Sequence, residues 1–293
     1  MKRLFYLFST LGVIVSSASA QIAAGTVRTK IAGIDVIAYK SGVKDVVYLR
    51  GTLPAGNAKD PADNPVIARL VGGMLDRGTT KHTKAEITAM LEGVGASISF
   101  SAGDNAAEFN ARCLAKDVPL VVSLLAEQLR FPLFSEEELG RLKQQLTGGL
   151  KRSLENTDFR ANDEYTRAVY NAGHPNRQAT PDEKIAAIKA AKLDDLKKFH
   201  AAHYGPAYFT IVAAGDLDVP ALQAELGKSF AGWTGGTPPL VTPKSKPVDA
   251  AREQVAQAQG AFEGVPVDVG AEVGAAVQLA DDAQAELRRR AHG

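Results

Sequence analysis

Residues 64–79 read NPVIARLVGGMLDRGT, and this stretch constrains the fold most tightly. Val66, Ile67, Leu70, Val71, Met74 and Leu75 recur at helical spacing, which predicts a helix with one buried stripe. Pro65 suits a first-turn position and Gly78 suits the end. Gly72 and Gly73 fall in the interior, where each glycine costs about 1 kcal/mol relative to alanine. A helix that keeps such a pair normally has a neighbour too close to admit side chains. A second predicted helix carries Gly148 and Gly149. The direct expectation is that the two helices touch at their glycine pairs.

Met74-Leu75-Asp76-Arg77-Gly78-Thr79, followed by helix-forming sequence and Val94-Gly95-Ala96, resembles the insulinase (pitrilysin) zinc metallopeptidases, which include the mitochondrial processing peptidases. In that family the helix before this run carries an inverted H-x-x-E-H motif. Its two histidines bind zinc, the glutamate activates a water, and a glutamate on a later helix completes the site. Laid onto this chain, the first histidine falls on Arg69, the general base on Gly72 and the second histidine on Gly73. The later glutamate falls on Gly149. Arginine keeps its charge and offers no lone pair to a metal, and glycine has no side chain to offer. The resemblance therefore implies the family's fold without its metal or catalytic groups, and no cofactor is expected although zinc serves the family.

Met1-Lys2-Arg3, an apolar run over residues 4–15 and Ala18-Ser19-Ala20 form a secretory signal pattern, with cleavage expected after Ala20. The run is too short for a comfortable membrane span, and no cysteine follows the small residues to take a lipid. The mature protein is expected to be exported to a bacterial periplasm, with no membrane span. Losing Lys2 and Arg3 takes the 34 basic residues to 32, against 33 acidic ones. That balance gives no reason to expect nucleic acid or an anionic membrane as partner. Cys113 is the sole cysteine, so no internal disulfide forms, and its place in an alternating run predicts a small buried hydrophobe.

Strands are expected over residues 26–40 (a hairpin turning at Ala32-Gly33), 45–53, 96–101, 107–114 and 209–213. Helices are expected over residues 83–92, 118–130, 135–154, 163–170, 180 onward, 193–204 and 220–230. Thr83-x-x-Glu86 and Ser135-x-x-Glu138 both read as capping boxes. Because strands and helices come in runs, the fold class is α+β, a mixed and largely antiparallel sheet covered by helices. This is also the class that the resemblance implies. Domain boundaries are expected at 1–20 for the signal peptide, 21–234 for the peptidase-like domain, and 235–293 for a linker and low-order tail. The second homologous domain usual in the family is missing from that tail, which reads as disordered, or as a truncated or frameshifted end.

His200 and His203 share one helix face, as a metal pair would, but no third ligand lies nearby in sequence. The run from Phe199 to Pro206 also resembles a segment that the family uses structurally. His82 and His174 are expected at the surface of loops, and Glu155, Asp158 and Asp163 in a solvated connection. No Ser-His-Asp or Cys-His grouping stands out. The resemblance thus implies a catalytically silent subunit that binds extended peptides along a sheet edge. Its partner would be a catalytic insulinase-type peptidase or a second copy of itself. A zinc endopeptidase with an unrecognised site and a truncated fragment without independent function stand as alternatives.

Overall fold

The computed structural model describes residues 25–171, 174 and 177–240. The signal-peptide reading and the tail from Ala250 lie outside these residues.

Six strands alternate apolar and polar residues, and the alternation decides which face each presents. They are β1 (Thr26–Ile31), β2 (Ile34–Lys40), β3 (Val46–Leu53), β4 (Ser97–Ala102), β5 (Ala107–Leu114) and β6 (Thr210–Gly215). They form one sheet in the order β1-β2-β6-β3-β5-β4. β2 and β6 run parallel, and every other neighbouring pair is antiparallel. The expected mixed, largely antiparallel sheet is therefore what forms. Pairing Val47 with Cys113, and Leu49 with both Ala111 and Ala213, keeps the apolar set on one face. All five side chains are buried, and a one-residue slip would turn the whole set to water. Gly51 supplies space there: a Cβ on it would lie 2.1 Å from a ring carbon of Phe109, so the aromatic occupies the volume of the missing side chain.

The helices are α1 (Ile67–Met74), α2 (Lys84–Glu92), α3 (Val118–Arg130), α4 (Glu136–Ser153), α5 (Thr157–Val169), α6 (Pro181–Ala190), α7 (Leu193–His203) and α8 (Val219–Ser229). None among the described residues is long and apolar enough to cross a membrane. α1 packs on β4, α4 and α7, while α3 packs on β5 and α8. Ile67, Leu70, Val71, Met74 and Leu75 are all essentially inaccessible to solvent, as the helical spacing requires.

Three boundaries differ from the sequence reading. α1 begins after Pro65, because the Asp60 carboxylate, seven residues before Ile67, caps it by accepting from the Ala68 N–H at 2.6 Å. It also ends before Gly78: the Arg77 Nε donates to the Gly73 carbonyl at 2.8 Å, satisfying an acceptor at the helix terminus. α5 begins at Thr157 because Asn156 caps it, its side chain accepting from the Phe159 N–H. The capping box at Thr83 and Glu86 forms in both directions. At Ser135 only half of it forms, since Glu138 turns its carboxylate to Arg77 and Arg141 instead.

Candidate functional site

The four positions singled out by sequence lie on α1 and α4, which cross in opposite directions. Gly73 faces Leu142 and Arg77 faces Glu138, so moving one turn forward on α1 moves one turn back on α4. The crossing is clamped at one end. Arg77 donates to Glu138 at 3.0 Å and to Gln145 at 2.8 Å while its Nε holds the Gly73 carbonyl. The Arg77 and Glu138 side chains are only 10% and 14% exposed, so this ion pair is screened far less than a surface one.

The glycine pairs do not meet each other. A Cβ on Gly72 would lie 3.4 Å from Ser101 and Ala102, so that glycine backs onto β4. A Cβ on Gly73 would lie 3.1 Å from both terminal methyls of Leu142. On α4 the situation is opposite: Gly148 would approach only Arg152 of its own helix, and Gly149 would meet nothing within 4 Å. Close approach explains α1, and open space explains α4.

Arg69 stands on the exposed side of α1, one turn before Gly73. The donor set at the family's four positions is therefore one guanidinium and three glycines. It does not fit a zinc ion, since nothing there offers a lone pair from a side chain. Among the described residues no three of His, Cys, Asp and Glu lie close enough to hold a metal.

His200, His203 and His174 make structural contacts. His200 Nε2 lies 2.8 Å from the Leu129 carbonyl, and its ring stacks on Tyr204. Burial depresses its pKa, with the Leu129 carbonyl opposing. His203 Nδ1 lies 3.2 Å from the Thr237 hydroxyl. His174 is not at the surface: it is 6% exposed and stacked on Tyr170 at 4.4 Å. Asp163 is not solvated either. It is buried between Arg167 at 2.6 Å and Lys184 at 3.3 Å, so it ties α5 to α6. Cys113 is buried, and burial raises its thiol to about 11, which makes it a poor nucleophile at neutral pH.

Sequence reasoning missed one constellation. The buried Glu127 of α3 accepts from the Thr79 hydroxyl, and His82 Nδ1 lies 2.9 and 3.2 Å from its two oxygens. This fixes the loop after α1 against α3, and it makes His82 more than the surface residue expected. The one sequence signal was a glutamate inside the apolar run of residues 118–130, where an unpaired charge would be costly.

Residues 36–180 match the insulinase family, Peptidase family M16. The chain belongs to that family. Residues 190–282 match the inactive domain of the same family. Among curated relatives, this M16 chain is 19% identical over 204 residues to an uncharacterised zinc protease of Rickettsia bellii, covering 70% of this chain and 49% of the relative. It is 20% identical over 145 residues to an uncharacterised zinc protease of Streptomyces coelicolor, covering 50% of this chain and 31% of that protein. It thus spans half or less of the length of these relatives. Among solved structures, the M16 inactive domain from Pseudomonas fluorescens superposes with a TM-score of 0.69 at 24% identity, covering 75% of this chain and 54% of that one. Pitrilysin superposes with a TM-score of 0.65 at 18% identity, covering 75% of this chain and 24% of that one. At these identities the superpositions establish the fold, with helices packed on a mixed, mainly antiparallel sheet.

Proposed function

We propose that this M16 chain is a catalytically silent subunit that binds extended peptides and supports an active zinc peptidase of its own family in the periplasm. One observation carries the reading. The helix pair that would build a zinc site keeps its packing, while the four functional positions hold Arg69, Gly72, Gly73 and Gly149 and the Gly149 side stands open. The core around α1 is apolar and complete without a metal, so loss of the chemistry leaves the scaffold stable.

The peptide-binding part rests on the sheet. β4 is an outermost strand, paired to β5 on one side. Gly72 brings α1 against it, so the free edge runs beside the vacated site. An extended chain laid on that edge gains backbone hydrogen bonds irrespective of sequence. The relatives named as zinc proteases supply the kind of partner whose activity such a subunit would support.

The test combines the purified mature protein with an M16 relative that carries H-x-x-E-H. The expected result is no peptidase activity from this chain alone and a raised rate, or raised stability, for the relative in its presence. A chelator-sensitive activity of this chain alone overturns the reading.

A further inference from the structure

We infer that Arg69 is a carboxylate-recognition residue: it selects peptides carrying an acidic side chain or a free C-terminal carboxylate beside the β4 edge. This rests on the peptide-binding reading above and names the ligand chemistry of that site.

The argument begins with the partners of the arginines around the helix pair. Arg77 has its fork engaged by Glu138, Gln145 and the Gly73 carbonyl. Arg141 bonds Glu137 and Glu138. Arg69 is exposed, and its side chain makes no hydrogen bond or ion pair with any described residue. The residues three and four positions away are Pro65 and Val66, just ahead of α1, and Gly72 and Gly73 within it, so no carboxylate one turn away is in range to neutralise it.

The surroundings give this cation a place to receive a ligand. The contact between α1 and α4 closes at Arg77 and Gly73 and opens towards Gly149. The opposed directions of the helices carry Arg69, one turn before Gly73, towards that open end. Gly72, on the next turn of the same helix, touches the backbone of Ser101 and Ala102 at the end of β4. A peptide lying along β4 therefore passes within side-chain reach of a guanidinium whose five donors are free. A planar guanidinium matches a carboxylate through two parallel N–H···O bonds, which a lysine cannot reproduce. A glutamine or leucine side chain at the same place would leave the charge unmatched.

The test measures binding of the full mature chain to one labelled unstructured peptide in four forms: central Glu or Gln, each with a free or amidated C-terminus. Wild type is expected to prefer a carboxylate-bearing form by about tenfold, the scale of a charge-assisted pair. The Gln and amide arms then identify which carboxylate is read. Arg69→Gln is expected to abolish that preference while leaving the neutral peptide's affinity and the melting temperature unchanged, and Arg69→Lys to keep only part of it. If all four peptides bind equally, or the preference survives Arg69→Gln, the Arg69 assignment is overturned and strand addition stands. If none binds, both are overturned.

Discussion

Gly73 and Leu142 hold α1 and α4 together: a Cβ on the glycine would stand 3.1 Å from both leucine methyls. Two turns further along α4, Gly149 faces open space. The two helices are thus glycine-bearing for different reasons, and mutation separates them. Gly73→Leu is expected to destabilise by about 1–3 kcal/mol through overpacking. Gly149→Ala is expected to be neutral or to stabilise by up to about 1 kcal/mol, because helix propensity improves and nothing is displaced. Thermal melting of the two variants checks this, and equal losses would place Gly149 in contact after all.

Metal content follows from the same four positions. The purified protein is expected to carry no stoichiometric zinc and to leave unfolded peptides intact. The donor set of Arg69, Gly72, Gly73 and Gly149 provides neither ligands nor a general base. Elemental analysis together with a peptidase assay with and without chelator decides it. One zinc per chain with chelatable activity would refute the expectation.

Much of the fold was readable because its elements carry local signals. Strict alternation located β4, looser alternation β5, and an apolar stripe between Asp117 and Phe131 located α3. What the sequence concealed was the set of long-range partners. The Asp60 cap on α1, the Arg77 clamp on α4 and the pairing of Asp163 with Lys184 all join residues whose spacing carries no period. The glycine pairs were visible, but whether each faces a neighbour or a void depends on what packs opposite it, which no window of sequence encodes. His174 was misplaced because the ring of Tyr170, just past the end of α5, stacks on it across the turn, and a loop position alone does not reveal that cover.

The Thr79, His82 and Glu127 cluster gives a third prediction. Glu127 is 7% exposed, and its charge stays in the interior only because two partners meet it. Thr79→Val or His82→Ala leaves carboxylate oxygens unmatched, at a cost of about 1–3 kcal/mol each. Since the residues form one network, the double variant is expected to lose less than the sum. Urea unfolding of the three variants measures both the cost and the coupling, and strict additivity would show the contacts to be independent.

Asp60 gives the pH dependence. Burial raises its carboxyl from 3.8 to about 7, against the opposing pull of the Ala68 and Ile67 N–H groups. The folded chain thus holds this proton more tightly than the unfolded one. Between about pH 4 and about pH 7 the folded state keeps the proton while the unfolded state has lost it, so stability falls with rising pH and levels off above. Asp60→Asn keeps an oxygen for the Ala68 N–H and removes the charge. It is expected to flatten that fall and to melt higher than wild type above about pH 7. A slope unchanged by the substitution would assign the pH dependence to other groups.

The last prediction concerns association. The face of the sheet turned away from the core presents Tyr48 at 52% exposure and Val212 at 42%. Tyr48 pairs across the strands with Ala214, and Arg50 with Val212, so these residues lie side by side on β3 and β6. Exposed apolar side chains that lie together on one face are where an interaction surface would form. A catalytic M16 relative is the expected occupant. Tyr48→Glu with Val212→Glu should abolish complex formation without lowering the melting temperature of the chain alone, because neither side chain contributes to the core. Size-exclusion with light scattering, run on the chain alone and with the relative, reads the outcome. A homodimer lost in the double variant would assign the face to a second copy, and a monomer that ignores the relative would remove the subunit role altogether.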